Sequence, residues 1–199
     1  MSSKQFWDER YKEAEYAYGK SPNSFLFQEL KKLTPGKLLL PFEGEGRNAV
    51  AAARLGWLVT AFDQSVEGKK KALLLALENQ IEIDYLVGEL NQLEINEENY
   101  DTIGLIYAHL PDSERKEFHR SLVKKLKPGG YLILEGFHIK QLGKSSGGPK
   151  HEDMLFTKEI LLSDFKDLLI ISLIDLEIDL EEGVYHKGKA HVVRMVAKR

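Results

Sequence analysis

Glu43-Gly44-Glu45-Gly46-Arg47-Asn48 sets acids, glycines and a cation side by side, and Asp63 follows nineteen residues after Gly44. Glycines at this spacing let backbone approach a bound group closely, and the later carboxylate suits a ribose diol. The chemistry on offer is nucleotide binding. Gly44-Glu45-Gly46-Arg47-Asn48-Ala49 fits the G-x-G-x-x-A fingerprint of dinucleotide sites, and it fits a plain strand-to-helix turn as well. Charge separates the ligands. A dinucleotide rests its pyrophosphate on such a turn and on the helix N-terminus behind it. Here Glu43 and Glu45 flank the first glycine, and like charges ~4 Å apart cost about 4 kcal/mol at an effective dielectric of about 20. S-adenosylmethionine (SAM) has no phosphate but carries a sulfonium and an ammonium, so an acidic turn suits it.

Among the histidines, His109 is placed best for chemistry, at the end of an apolar strand segment and before Leu110-Pro111. It either orients or deprotonates a nucleophile, or it hydrogen-bonds a loop carbonyl. His186 and Lys187 lie in a polar connection where they either meet an anionic substrate or stand in solvent. Arg47 either binds a carboxylate or pairs with Glu43 or Glu45. His138 and His151 bracket a Gly/Ser loop at a spacing that fits no standard ligand pattern, so no metal is expected. His119 is expected on a surface helix, and His191 in a structural strand position. Phe6, Trp7, Tyr11 and Tyr16 read as packing residues. Cysteine is absent, which excludes disulfides, thiolate metal sites and a cysteine nucleophile.

The elements that hold these residues alternate. Strands are expected at 37–41, 57–62, 83–87, 102–107 and 131–135. Helices are expected at 5–14, 24–33, 47–55, 65–79, from Asp112 or Ser113 to Leu126, and at 157–165. Leu38-Leu39-Leu40 is apolar without alternation, as a strand covered by helices on both faces should be. The segments 169–180 and 189–197 leave no room for a helix between them and read as a closing antiparallel hairpin. The fold class is α/β: a single Rossmann-like, doubly wound sheet of about seven strands, mostly parallel, with an antiparallel C-terminal hairpin and helices on both faces. A ligand is expected at the carboxyl ends of strands one and four, where strand order reverses.

Composition narrows the class. The chain has 199 residues, a net charge of −3 and 43% apolar residues, as one globular α/β domain should. No basic stripe invites nucleic acid, and no apolar run approaches the ~20 residues of a membrane span. The chain is expected to be cytoplasmic, a monomer or weak homodimer, without membrane or nucleic-acid partners.

Phe6-Trp7-Asp8-Glu9-Arg10-Tyr11, Tyr18-Gly19-Lys20-Ser21-Pro22-Asn23, the glycine turn, Thr60-Ala61-Phe62-Asp63-Gln64-Ser65 and Leu126-Lys127-Pro128-Gly129-Gly130-Tyr131 follow one another in a recognisable order. In that order the chain resembles class I SAM-dependent methyltransferases, most of all the tellurite-resistance and thiopurine methyltransferase group. The resemblance departs at one point. Leu40 stands where the superfamily prefers an acid, and Phe42 where it prefers the first glycine; Glu43 is the neighbouring carboxylate that would substitute.

What the resemblance implies is a single domain over 1–199, with 1–34 as a helical lid and 35–199 as the core. Gly44 and Gly46 would approach the methionine part of SAM, with Glu43, Arg47 and Asn48 beside them. Asp63 would hold the ribose, with Gln64 and Ser65 beside the adenosine. Glu89 would face the adenine amine next to Leu90. Tyr107 and Ala108 would border the transferable methyl, and Tyr18, Gly19 and Pro22 would cover the cofactor. His109 and His186 are the candidate catalytic residues. The acceptor is expected to be a small molecule: a thiol, a selenium or tellurium oxyanion, or a similar soft nucleophile. The competing readings are an NAD(P)-binding oxidoreductase and a catalytically degenerate binding protein on the same fold.

Overall fold

The computed structural model describes residues 2–199. They group into two compact units, Met1–Ile95 with Glu182–Tyr185, and Asn96–Glu181 with His186–Arg199.

The first unit is built on three parallel strands, β1 (Lys37–Pro41), β2 (Leu58–Asp63) and β3 (Asp84–Val87). Leu38, Leu39 and Leu40 are at most 1% exposed, so the unbroken apolar run is a strand covered on both faces. Register aligns Pro41 with Phe62 and Asp63 with Val87, so these carboxyl ends finish together. Helix α3 (Arg47–Arg54) follows β1, and α4 (Val66–Glu78) follows β2. Helix α1 spans Ser3–Tyr11, earlier than the expected 5–14. A capping box between Ser2 and Gln5 starts it there. Helix α2 spans Ser24–Leu30 with Asn23 as its cap.

The second unit holds β4 (Tyr100–Ile106), α5 (Asp112–Lys125), β5 (Leu126–Phe137), α6 (Lys158–Asp164), β6 (Leu169–Glu182) and β7 (His186–Lys198); the last residue of β6 groups with the first unit. β4 and β5 are parallel, and β7 returns antiparallel to β5 with Glu135 opposite Arg194. The strand order is β3-β2-β1-β4-β5-β7-β6, a seven-stranded sheet that is mostly parallel and closes on an antiparallel hairpin.

Four local expectations need correction. The hairpin connection is Gly183-Val184-Tyr185 and not the eight residues from 181: β6 runs on through Glu181 and Glu182, and β7 already starts at the buried His186. β5 starts at Leu126, through a register shift opposite Tyr100 and Thr102, and not at Tyr131. Neither Asp112 nor Ser113 caps α5: the cap position is Pro111, and Asp112 instead ion-pairs with Arg115. His119 is not on the surface. It is 0% exposed and shares the Asp164 carboxylate with Arg115, His119 Nδ1 at 2.9 Å and Arg115 Nε at 2.8 Å, so a charged cluster ties α5 to α6. No helix among the described residues is long and apolar enough to cross a membrane.

Candidate functional site

The turn after β1 begins with Phe42 in the left-handed region, at φ 52°, where the superfamily glycine would sit without strain. Glu43 then folds back onto α3. Its Oε1 accepts the Asn48 and Ala49 amides at 2.8 Å each, and its Oε2 accepts Asn48 Nδ2 at 3.3 Å. The α3 cap residue is Gly46, which offers no side chain, so Glu43 satisfies the helix N-terminus in its place. Burial pushes the Glu43 carboxyl up to about 7 despite these donors. Glu43 therefore does not replace the missing ligand-facing acid. Its carboxylate belongs to the helix, and the anion position a pyrophosphate would need is already filled.

Glu45 is spent internally as well. It accepts the Ala17 amide at 2.8 Å and pairs with Lys71 Nζ at 2.5 Å. Arg47 meets neither glutamate of the turn. It donates to the Tyr18 and Ser21 carbonyls at 3.2 and 3.4 Å and pairs with Glu182 at 2.9 Å. Asn48 accepts the Asn23 amide at 2.8 Å. These residues clamp the 17–23 segment, including Tyr18, Gly19 and Pro22, to the turn and to the hairpin tip. Val184 and Tyr185 donate their amides to the Ala17 carbonyl at 3.1 and 3.4 Å.

Asp63 ends β2 and is 4% exposed. Its Oδ2 accepts the Gly44 amide at 3.1 Å and its Oδ1 the Ser65 amide at 2.9 Å. Burial raises it to about 6, with these amides opposing and Asp8 adding to the rise. The Gln64 amide donates to it too, so three backbone amides fix the carboxylate and leave one of its roughly four acceptor sites for a ligand hydroxyl. Two tyrosines frame the turn. Tyr85 of β3 donates to the Gly44 carbonyl at 2.5 Å, and a Cβ on Gly44 would lie 2.6 Å from the Tyr11 hydroxyl. Ser65 caps α4 and donates to Asp8 at 2.6 Å, and Asp8 also accepts the Val66 amide at 3.0 Å. Gln64 reaches Ser3 at 3.0 Å. Helix α1 thus closes over the start of α4. Glu89 is exposed and caps a short turn beginning at Leu90. Asp8 and Tyr11 belong to the motif at the start of the chain, but their contacts to Ser65 and Gly44, like that of Tyr85, join elements distant in sequence and are not readable from spacing.

In the second unit, Tyr107 follows β4 at φ 52°. Its hydroxyl donates to Glu135 at 2.8 Å, and Arg194 Nε pairs with the other Glu135 oxygen at 2.5 Å. His186 stands edge-on to Tyr107, with centroids 4.6 Å apart, and to Phe137 at 5.2 Å. Tyr107 and His186, both expected at the site, are brought together; Glu135 and Arg194 were missed. Ala108 is buried at 3% exposure behind Tyr107. His109 is corrected. Its Nδ1 donates to the Met154 carbonyl at 2.7 Å and its Nε2 accepts the Phe137 amide at 3.0 Å. Burial depresses it to about 4, so it is a neutral bracing residue with no lone pair left for a substrate. His138, Asp175 and His191 bring ligand-type atoms within 4.8 Å of one another, a grouping across three elements that spacing does not reveal. Lys158 and Lys140 hold Asp175 at 3.0 and 3.5 Å, and His138 Nδ1 accepts the Lys140 amide, so the group is knit as an ion-pair network.

The donor set of the first unit fits a nucleoside without phosphate: a buried carboxylate fixed by backbone amides, and a helix N-terminus closed by its own anion. Residues 43–130 match the family model of a methyltransferase domain. A ubiquinone biosynthesis O-methyltransferase of Rickettsia bellii is 33% identical over 91 residues, which are 46% of this chain and 38% of that protein. The chain therefore spans well under half the length of the curated relatives it matches. Among solved structures, TehB from Haemophilus influenzae has a TM-score of 0.73 at 18% identity, over 98% of this chain and 66% of TehB. A SAM-dependent methyltransferase from Methanosarcina mazei has a TM-score of 0.68 at 19% identity, over 85% of this chain and 95% of that one. At such identities the structures speak for the fold alone. Family model, strand order and fold point one way: residues 43–130 are similar to a methyltransferase domain, and the sheet has the fold of solved SAM-dependent methyltransferases.

Proposed function

We propose that this protein transfers a methyl group from SAM to a small-molecule acceptor, with residues 1–199 acting as one domain and 1–34 as its lid, in the cytoplasm. The observation that carries the reading is Asp63, a buried carboxylate fixed at the end of β2 by backbone amides, beside a turn that has no place for phosphate. Asp63 holds the ribose, Gln64 and Ser65 flank the adenosine, Glu89 and Leu90 border the adenine, and Gly44 and Gly46 line the methionine part. Bound SAM supplies a methyl group already activated on a sulfonium. The chain's own task is alignment and exclusion of water. His186, edge-on to Tyr107, orients the acceptor and takes its proton when the nucleophile carries one; an acceptor that is already an anion needs no base. Glu135 fixes the Tyr107 hydroxyl, and Arg194 balances its charge.

The acceptor we favour is a soft nucleophile, a thiol or a selenium or tellurium oxyanion; the TehB-like fold supports this, whereas the curated relatives are named for O-methylation. One observation favours a second reading, a binding protein on a degenerate fold. Leu40 replaces the ligand-facing acid, and Glu43 is turned away into α3. Calorimetric titration with S-adenosylhomocysteine (SAH) separates the two. We expect binding that weakens at least tenfold in Asp63→Ala and declines as pH falls below about 6, where Asp63 takes up a proton. No binding at millimolar SAH would leave the scaffold reading standing.

A further inference from the structure

Helix α1 carries a cation without a carboxylate. Lys4 and Lys12 pair with Asp8 and Glu9 of the same helix, and Lys20 beyond it pairs with Glu78, although all three lysines are about half exposed. Arg10 is less exposed, yet among the described residues no carboxylate lies within ion-pair distance of it. Its Nη1 donates to the Tyr18 hydroxyl at 2.9 Å. Aromatic rings lie against the guanidinium: Tyr185 with its centroid 4.0 Å from the guanidinium carbon, Phe6 at 4.6 Å and Trp7 at 5.6 Å. A guanidinium has five N–H donors in a planar fork that matches a carboxylate bidentately. The hydrogen bond to Tyr18 uses one of the five, and Arg10 is partly exposed, so donors remain for a ligand.

The surroundings say what kind of ligand. Phe6 and Tyr185 remain 42% and 43% exposed, so apolar ring surface is accessible beside the charge. The cluster also borders the cradle of the first unit. Trp7 stacks on Tyr11 at 5.4 Å, and the Tyr11 hydroxyl covers Gly44.

We propose that Arg10, with the rings of Phe6, Trp7 and Tyr185, forms an acceptor subsite for an aromatic acid: Arg10 grips the carboxylate while the rings receive the aryl face. The proposal rests on the methyltransferase reading above and narrows its acceptor to aryl carboxylates that bear the nucleophile.

The test needs no variant to begin. Benzoate and its neutral isostere benzamide are titrated into the protein, with and without saturating SAH, by calorimetry. Benzoate is expected to bind at least tenfold more tightly than benzamide. Arg10→Gln is expected to abolish that preference while leaving benzamide and SAH affinities unchanged, and Arg10→Lys to restore it in part, since an ammonium makes no fork. Equal binding of benzoate and benzamide overturns the subsite, as does the absence of benzoate binding in a protein that binds SAH. Arg10→Gln losing thermal stability and SAH affinity with the benzoate preference intact would make Arg10 a staple between α1 and the hairpin tip, and would also overturn it. Failure to bind SAH counts against the methyltransferase reading, and the preference for benzoate over benzamide then still decides the anion subsite.

Discussion

Side chains that look catalytic by type take their roles from their partners. His109 is a candidate base by position, but both of its nitrogens are engaged with backbone, and it is depressed to about 4 by burial. His109→Ala should therefore cost about 2 kcal/mol of stability, by stranding the Met154 carbonyl and the Phe137 amide. Urea unfolding measures that loss. The shape of the pH–rate profile should not change; loss of an ionisation from that profile would return His109 to the catalytic list. Glu43 gives the same lesson. Its acidity suggested a counter-charge for a sulfonium, yet its carboxylate is the cap that Gly46 cannot provide. Sequence exposes such a residue's charge but not its direction. Asp63 was legible because its position at a strand end is fixed by the β-α-β pattern alone, whereas Glu135 was hidden inside an apolar strand.

At the scale of elements, the alternation of apolar strands and capped helices was readable because each signal is local: Ser65 before α4, Asn23 before α2, Leu38-Leu39-Leu40 in β1. The hairpin tip was not readable, because its length is set by a distant contact. A Cβ on Gly183, at φ 68°, would fall 2.5 Å from the Gly19 nitrogen and 2.6 Å from the Ala17 carbonyl. Both are backbone atoms and cannot swing aside. Gly183→Ala should cost roughly 1–3 kcal/mol and lower the melting temperature by several degrees. Thermal unfolding that matches the parent would show that the tip does not dock on the N-terminal segment.

For the whole molecule, the buried acids set a pH dependence. Glu43 rises from 4.5 to about 7, so between those values the folded protein keeps a proton that the unfolded chain has released. Stability should fall as pH climbs through that window, by up to roughly 3 kcal/mol from this group. Glu43→Gln should remove the part of the slope between pH 6 and 7 in urea titrations; an identical slope in parent and variant would refute this origin. The fold as a whole was legible because hydrophobic patterning and turn residues agree along the chain. The substrate side was not, since its residues meet only in three dimensions.

The clamp on Arg47 has a consequence for how the protein is made. Arg47 reaches Glu182 across 135 positions of sequence, and Asn23 reaches it across 159. At the ~5–20 residues per second of protein synthesis, a ribosome needs on the order of ten seconds to travel from one end of the Arg47 contact to the other. The glycine turn and Asp63 emerge well before the tip that locks them. During that interval the nascent chain holds a half-made cradle, with a guanidinium that must stay in water until residue 182 arrives.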